Sequence, residues 1–142
     1  MMIETAGVGD PAYTQTMPRE PQSAGIARHL TASALHVWGL EAVQDAAAAV
    51  VTELVSNTVR HAERATIRVT VTKAEDGRRV RIAVVDFCPT FPQPRDVGPE
   101  ECAGRGLSIV AAMCDGRWGT DRLRWGKRVW AELAVPEEKP DE

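Results

Sequence analysis

Residues 66–86, TIRVTVTKAEDGRRVRIAVVD, decide the fold. Ile67, Val69 and Val71 alternate with Arg68, Thr70 and Thr72, the period of a strand with one face in a core. Asp76-Gly77 is a strong hairpin turn. Val80, Ile82 and Val84 then continue as the partner strand and lead to Asp86. Two strands joined this way are antiparallel, and a half-buried pair needs a second layer on its apolar side.

The chain before the hairpin supplies that layer. Residues 22–38 read as a helix: Ser23 is a plausible cap, Ile26, Leu30, Ala34, Val37 and Trp38 recur at helical spacing, and Gly39 stops it. Residues 41–62 read as a longer helix, with a stripe of Val43, Ala47, Val50, Val51, Leu54 and Val55 and four consecutive alanines. Tyr13–Met17 reads as a short first strand. After residue 86 the chain changes character, with seven Pro or Gly in residues 87–106, the mark of a long irregular connection. Leu107, Ile109, Val110 and Met113 mark a short helix. Strands follow at about 116–122 and 127–135, joined through Arg124-Trp125-Gly126. The expected fold is α+β: a two-layer sandwich whose mixed, mostly antiparallel sheet is covered on one face by three helices. Residues 1–11 are expected to form a disordered arm, residues 12–135 the domain, and residues 136–142, PEEKPDE, a disordered acidic tail.

Composition bounds the function. The 142 residues are 44% apolar and 26% charged, enough for one core. The net charge of −3 argues against a dedicated nucleic-acid binder. No apolar run approaches the ~18 residues of a membrane span, and the start MMIETAGVGD lacks a basic-then-apolar leader. Cys88, Cys102 and Cys114 form no CxxC pair, so neither a zinc site nor a disulfide framework is expected. The chain reads as a single cytoplasmic domain.

Three features carry chemistry. Glu53, Asn57 and His61 are four apart on the second helix, each step turning about 40° round it. A carboxylate can take a proton from a hydroxyl, and an amide oxygen one turn on is a hard ligand suited to Mg²⁺. A solvated face, with Glu53 paired to Arg60 or His61, is the bland alternative. Asp86 ends an apolar strand, where a carboxylate can accept from an exocyclic amine such as that of adenine; a turn-initiating Asp is the other reading. Gly104-Arg105-Gly106-Leu107 opens a helix after the loop, with glycines, free N–H groups and a cation suited to phosphate. A flexible helix start would look the same. His29 and His36 read as surface residues, and the four tryptophans as core or interface.

In this order, VTELVSNTVRHA, VVDFCPTFP, GRGLSIV and GKRVWAEL resemble the histidine-kinase-like (GHKL) ATPase superfamily. Within it the match is to the small anti-sigma-factor serine/threonine kinases and their actinobacterial relatives, over about Met17 to Val135. The resemblance implies ATP and Mg²⁺ as cofactors. It makes Glu53 the general base, Asn57 the Mg²⁺-holding residue and Asp86 the acceptor for the adenine amine. Gly104, Arg105, Gly106 and Leu107 would lie by the phosphates, Arg60 nearby, and residues 87–103 would form the ATP lid. Cys88 stands beside adenine where the superfamily has Gly, and Arg128 where some relatives have a Thr supporting the adenine Asp. The implied activity is phosphorylation of an anti-anti-sigma factor of the STAS type by a protein that otherwise holds a sigma factor, controlling transcription by partner switching. The alternative is a non-catalytic, ATP-dependent binding module. A homodimer is expected, sharing the edge of a weak first strand.

Overall fold

The computed structural model describes residues 2–6, 10–61, 65–87, 110, 114, 117–124 and 126–137, with the backbone alone at 2–6, 61 and 87. Their order is β1 (Met2–Ala6), β2 (Asp10–Pro18), α1 (Ser23–Trp38), α2 (Gln44–His61), β3 (Thr66–Ala74), β4 (Arg79–Phe87), β5 (Trp118–Leu123) and β6 (Gly126–Ala134). The strands form one six-stranded sheet in the order β1-β2-β3-β4-β6-β5. Every pairing is antiparallel, so the described sheet is not mixed.

Local chemistry explains the elements. Gly39 ends α1 in the left-handed region (φ 69°), its amide donating to the His36 carbonyl and the Leu40 amide to that of Leu35. Ser23 does not cap α1. Its hydroxyl donates back to the Pro18 carbonyl at 2.5 Å, stapling the helix start to the end of β2. One 3₁₀ turn, Glu41–Val43, precedes α2, so the α-helical part begins at Gln44 rather than at 41. The Asp76-Gly77 hairpin forms as expected. Its turn places Glu75 and Asp76 at φ 50° and 56° and Gly77 at 88°.

Both helices cover one sheet face. Leu30 and Leu35 of α1, and Val50, Val51, Leu54 and Val55 of α2, meet Ile67, Val69, Val71, Val80 and Ile82, all fully buried. Each such side chain contributes about 1.5–3 kcal/mol through burial. Arg28 of α1 donates to the Thr52 hydroxyl at 3.1 Å, tying the helices together. The third expected helix lies outside the described residues except at Val110, whose carbonyl accepts from the Cys114 amide at the i, i+4 spacing of a helix. Both residues are buried in the core.

The first residues differ from expectation. Met2–Ala6 is not a loose arm: it pairs antiparallel with β2 from Met2 opposite Thr14 to Ala6 opposite Asp10. Backbone hydrogen bonds make this pairing, and they leave little trace in side-chain hydrophobicity. The edge that Tyr13–Met17 was expected to offer to a second copy is therefore occupied by β1. The tail beyond residue 137 lies outside the described residues. No described helix is long and apolar enough to cross a membrane.

Candidate functional site

The site is built at one end of the sheet. Directly opposed residues share a face, and alternate residues along a strand return to it. Val80, Ile82 and Val84 point to the helices, so Asp86, two residues further, lies on the same helix-covered face. Its neighbours across the sheet are Ile67 on β3 and Lys127 on β6, with Met17 of β2 opposite Ile67. The last row of the inner face thus runs Met17, Ile67, Asp86, Lys127, Arg122. The first two are buried apolar residues, and the row turns charged at Asp86. Asp86 Oδ1 is withdrawn from solvent. A carboxylate at the end of an apolar face suits a flat heterocycle with an amine at its edge.

The second part of the site comes from α2, which packs against β4 and β6. Leu54 and Val55 are fully buried and fix the rotation of the helix. That rotation buries Asn57, which keeps only 2% of its surface. Glu53 is half-buried and Arg60 exposed. Asn57 is therefore not part of a solvated face. Among the described residues Glu53 makes no ion pair with Arg60, seven positions on. The side chain of His61 lies outside the described residues. Thr58, beside Asn57, turns its hydroxyl back to the Leu54 carbonyl at 2.8 Å, so it does not compete for a ligand.

Of the expected residues, Glu53 and Asn57 lie on α2, which packs against β4, and Asp86 lies near the end of β4. Cys88, Gly104, Arg105, Gly106 and Leu107, with the expected lid beyond Phe87, lie outside the described residues. Arg128 does not face Asp86. It is opposite Val85 on β4 and opposite Asp121 on β5, on the outer face of the sheet. There its guanidinium donates twice to Asp121 Oδ2, at 2.6 and 3.0 Å. The β6 residue that shares a face with Asp86 is Lys127, which was missed. Val129, Ala131 and Leu133 set the inward parity of β6, and counting back from them reaches Lys127.

His29 and His36 are at the surface, as expected, with His36 Nδ1 3.0 Å from Glu41. Trp38 packs on Tyr13 with ring centroids 5.4 Å apart. Trp130 lies on the outer sheet face under Arg81, whose guanidinium carbon is 4.6 Å from the ring centroid. Among the described residues no cluster of three His, Cys, Asp or Glu side chains forms a metal centre. Glu53 and Asn57 offer only oxygen and amide donors, the hard set that suits Mg²⁺ shared with phosphate oxygens.

No curated protein matches the chain significantly. The family model for the histidine kinase-like ATPase domain matches residues 17–119. That span runs from the buried end of β2, through both helices and the hairpin that carries Asp86, into β5. It covers more than half of the chain and agrees with the sandwich built above, and on these two grounds the chain belongs to the histidine kinase-like ATPase domain family.

Proposed function

We propose that this ATPase domain is a cytoplasmic protein serine/threonine kinase. In this reading it binds Mg·ATP, phosphorylates an anti-anti-sigma factor, and otherwise holds a sigma factor. The observation that carries the reading is on α2: a half-buried carboxylate, Glu53, one turn before a buried carboxamide, Asn57. A helix that only needed a polar edge would not bury the amide.

In this reading each residue has a role. Asp86 accepts from the adenine amine at the end of β4. Asn57 would hold Mg²⁺ through its amide oxygen; when bound, the ion neutralises phosphate charge. Glu53, beside it and partly open to solvent, takes the proton of the incoming serine or threonine hydroxyl. The hydroxyl oxygen bonds to the terminal phosphorus, the bond from that phosphorus to the bridging oxygen breaks, and ADP leaves with the electron pair. In this reading Arg60, exposed on α2 three positions after Asn57, faces the phosphates.

Glu53→Gln keeps the shape and removes the base. General-base catalysis is worth roughly 10²- to 10⁴-fold, about 3–5 kcal/mol of barrier. The variant should bind ATP about as tightly as the wild type by calorimetry. It should transfer labelled γ-phosphate to its partner slower by that factor. Transfer at the wild-type rate would remove Glu53 as the base. A wild type that binds ATP but transfers none would make the domain a regulated binding module.

A further inference from the structure

Arg19 lies in the short connection between β2 and α1, far in sequence from Glu53, Asn57 and Asp86. Its guanidinium reaches 40 positions along the chain and donates through Nη1 to the backbone carbonyl of Val59, at 2.9 Å and partly buried. α2 ends at His61, so that carbonyl is among the four that a helix leaves without a donor of its own. A cation there also opposes the negative end of the helix dipole. The Arg19 amide donates to the Ala65 carbonyl at 2.8 Å, just before β3 begins. Arg19 therefore grips the chain on both sides of the passage from α2 to β3.

Its own base is rigid. Pro18, the preceding residue, pairs with Thr66, and the next row of the sheet runs Met17, Ile67, Asp86. Ser23 staples the far side of the same connection to Pro18. Asn57 lies two residues before Val59, and Arg60 one after it. One side chain thus joins the end of α2 that carries Asn57 to the end of the sheet that carries Asp86.

We infer that Arg19 is a positioning residue for the nucleotide: it sets the distance between the group that reads the base and the group that holds the metal. The inference rests on the Mg·ATP reading above. It separates the two ends of the ligand. Loss of the tether lets the last turn of α2 shift, which moves Asn57, whereas Asp86 stays in the sheet.

The test is calorimetric titration of the full chain with ATP, once in Mg²⁺ and once in EDTA. Supporting residues behind a metal-holding group are typically worth about 10- to 100-fold in affinity. Arg19→Ala should weaken ATP binding by roughly tenfold or more in Mg²⁺ and by much less in EDTA. Arg19→Lys, which keeps a cationic donor, should restore most of the loss. Should Arg19→Ala fail to fold, Arg19→Gln, still a donor but uncharged, takes its place in the same comparison. Equal losses in both buffers, or none in either, would overturn the inference while leaving the nucleotide reading intact. A wild type that binds no ATP in either buffer would overturn that reading and the inference with it.

Discussion

The two faces of the sheet are made of the same strands and do different work. On the inner face Ile67, Val69, Val71, Val80, Ile82, Val84, Val129, Ala131 and Leu133 are almost wholly buried against the helices. On the outer face their sequence neighbours include Arg68, Thr70, Thr72, Arg81, Arg128, Trp130 and Glu132, with Ala83 and Val85 among them. Thr14 and Thr70 share a hydroxyl hydrogen bond at 2.9 Å, Arg81 lies over Trp130, and Arg128 pairs with Asp121. Period-two alternation alone creates this division. The division also bears on the site: the buried inner run Ile67, Val69, Val71, Val80, Ile82 and Val84 of β3 and β4 gives way near the end of β4 to a carboxylate, Asp86. A charge on the outer face is ordinary; Asp86 and Lys127 are on the face where a charge needs a reason.

The largest effect that separates the faces is on stability. Ile82→Ala removes a fully buried side chain from the middle of the inner face and should cost about 2–5 kcal/mol. Thr70→Ala, on the outer face opposite Ala83, loses one hydroxyl pair and should cost about 1 kcal/mol. Urea unfolding of both variants measures the contrast. Equal losses would mean that the outer face carries as much packing as the inner one.

The core of this fold was legible because side-chain period is a strong signal. The hairpin, both helices and the inner set of β3 and β4 follow from which positions are apolar. β1 was not legible, since the backbone of β2 holds it. Ser23 was misread as a helix cap because a serine hydroxyl at a helix start can accept from a helix N–H or donate to a carbonyl, and here it donates to the strand carbonyl of Pro18. In the site, Glu53, Asn57 and Asp86 stood out by spacing and by position at an element's end. Arg19 could not be found this way: an arginine between two prolines carries no sign of a carbonyl 40 residues away. Lys127 was not found because the resemblance points to Arg128, and neighbouring residues of a strand lie on opposite faces.

A smaller effect tests whether the last inner row reads the base. Asp86→Asn keeps the volume and an acceptor oxygen but removes the charge. Hydrogen bonds to charged groups exceed neutral ones by about 1–1.5 kcal/mol, so ATP affinity should fall about tenfold. The urea midpoint should move far less than for Ile82→Ala. Titration with ATP checks the first and unfolding the second. A variant that binds ATP as the wild type does would leave Asp86 as a strand-ending residue and no more.

The smallest effect is the sharpest test of the faces, because it compares neighbours. Arg128 and Lys127 are adjacent in sequence, and both are cations near the end of β4. The register puts Arg128 opposite Val85 and Lys127 opposite Asp86. Arg128 is held by Asp121, with side chains 38% and 41% exposed. Exposed pairs of this kind are worth less than about 1 kcal/mol, so Arg128→Ala should change unfolding by no more than that. Its ATP affinity should equal that of the wild type, because the sheet lies between Arg128 and the site. Lys127→Ala removes a cation from the inner row itself. An anionic ligand on that side should bind at least about threefold more weakly, ~0.7 kcal/mol, and the loss should shrink as salt is raised. If Arg128→Ala weakens ATP and Lys127→Ala does not, the register of β6 against β4 is off by one residue at this end. Asp86 would then lie opposite Arg128.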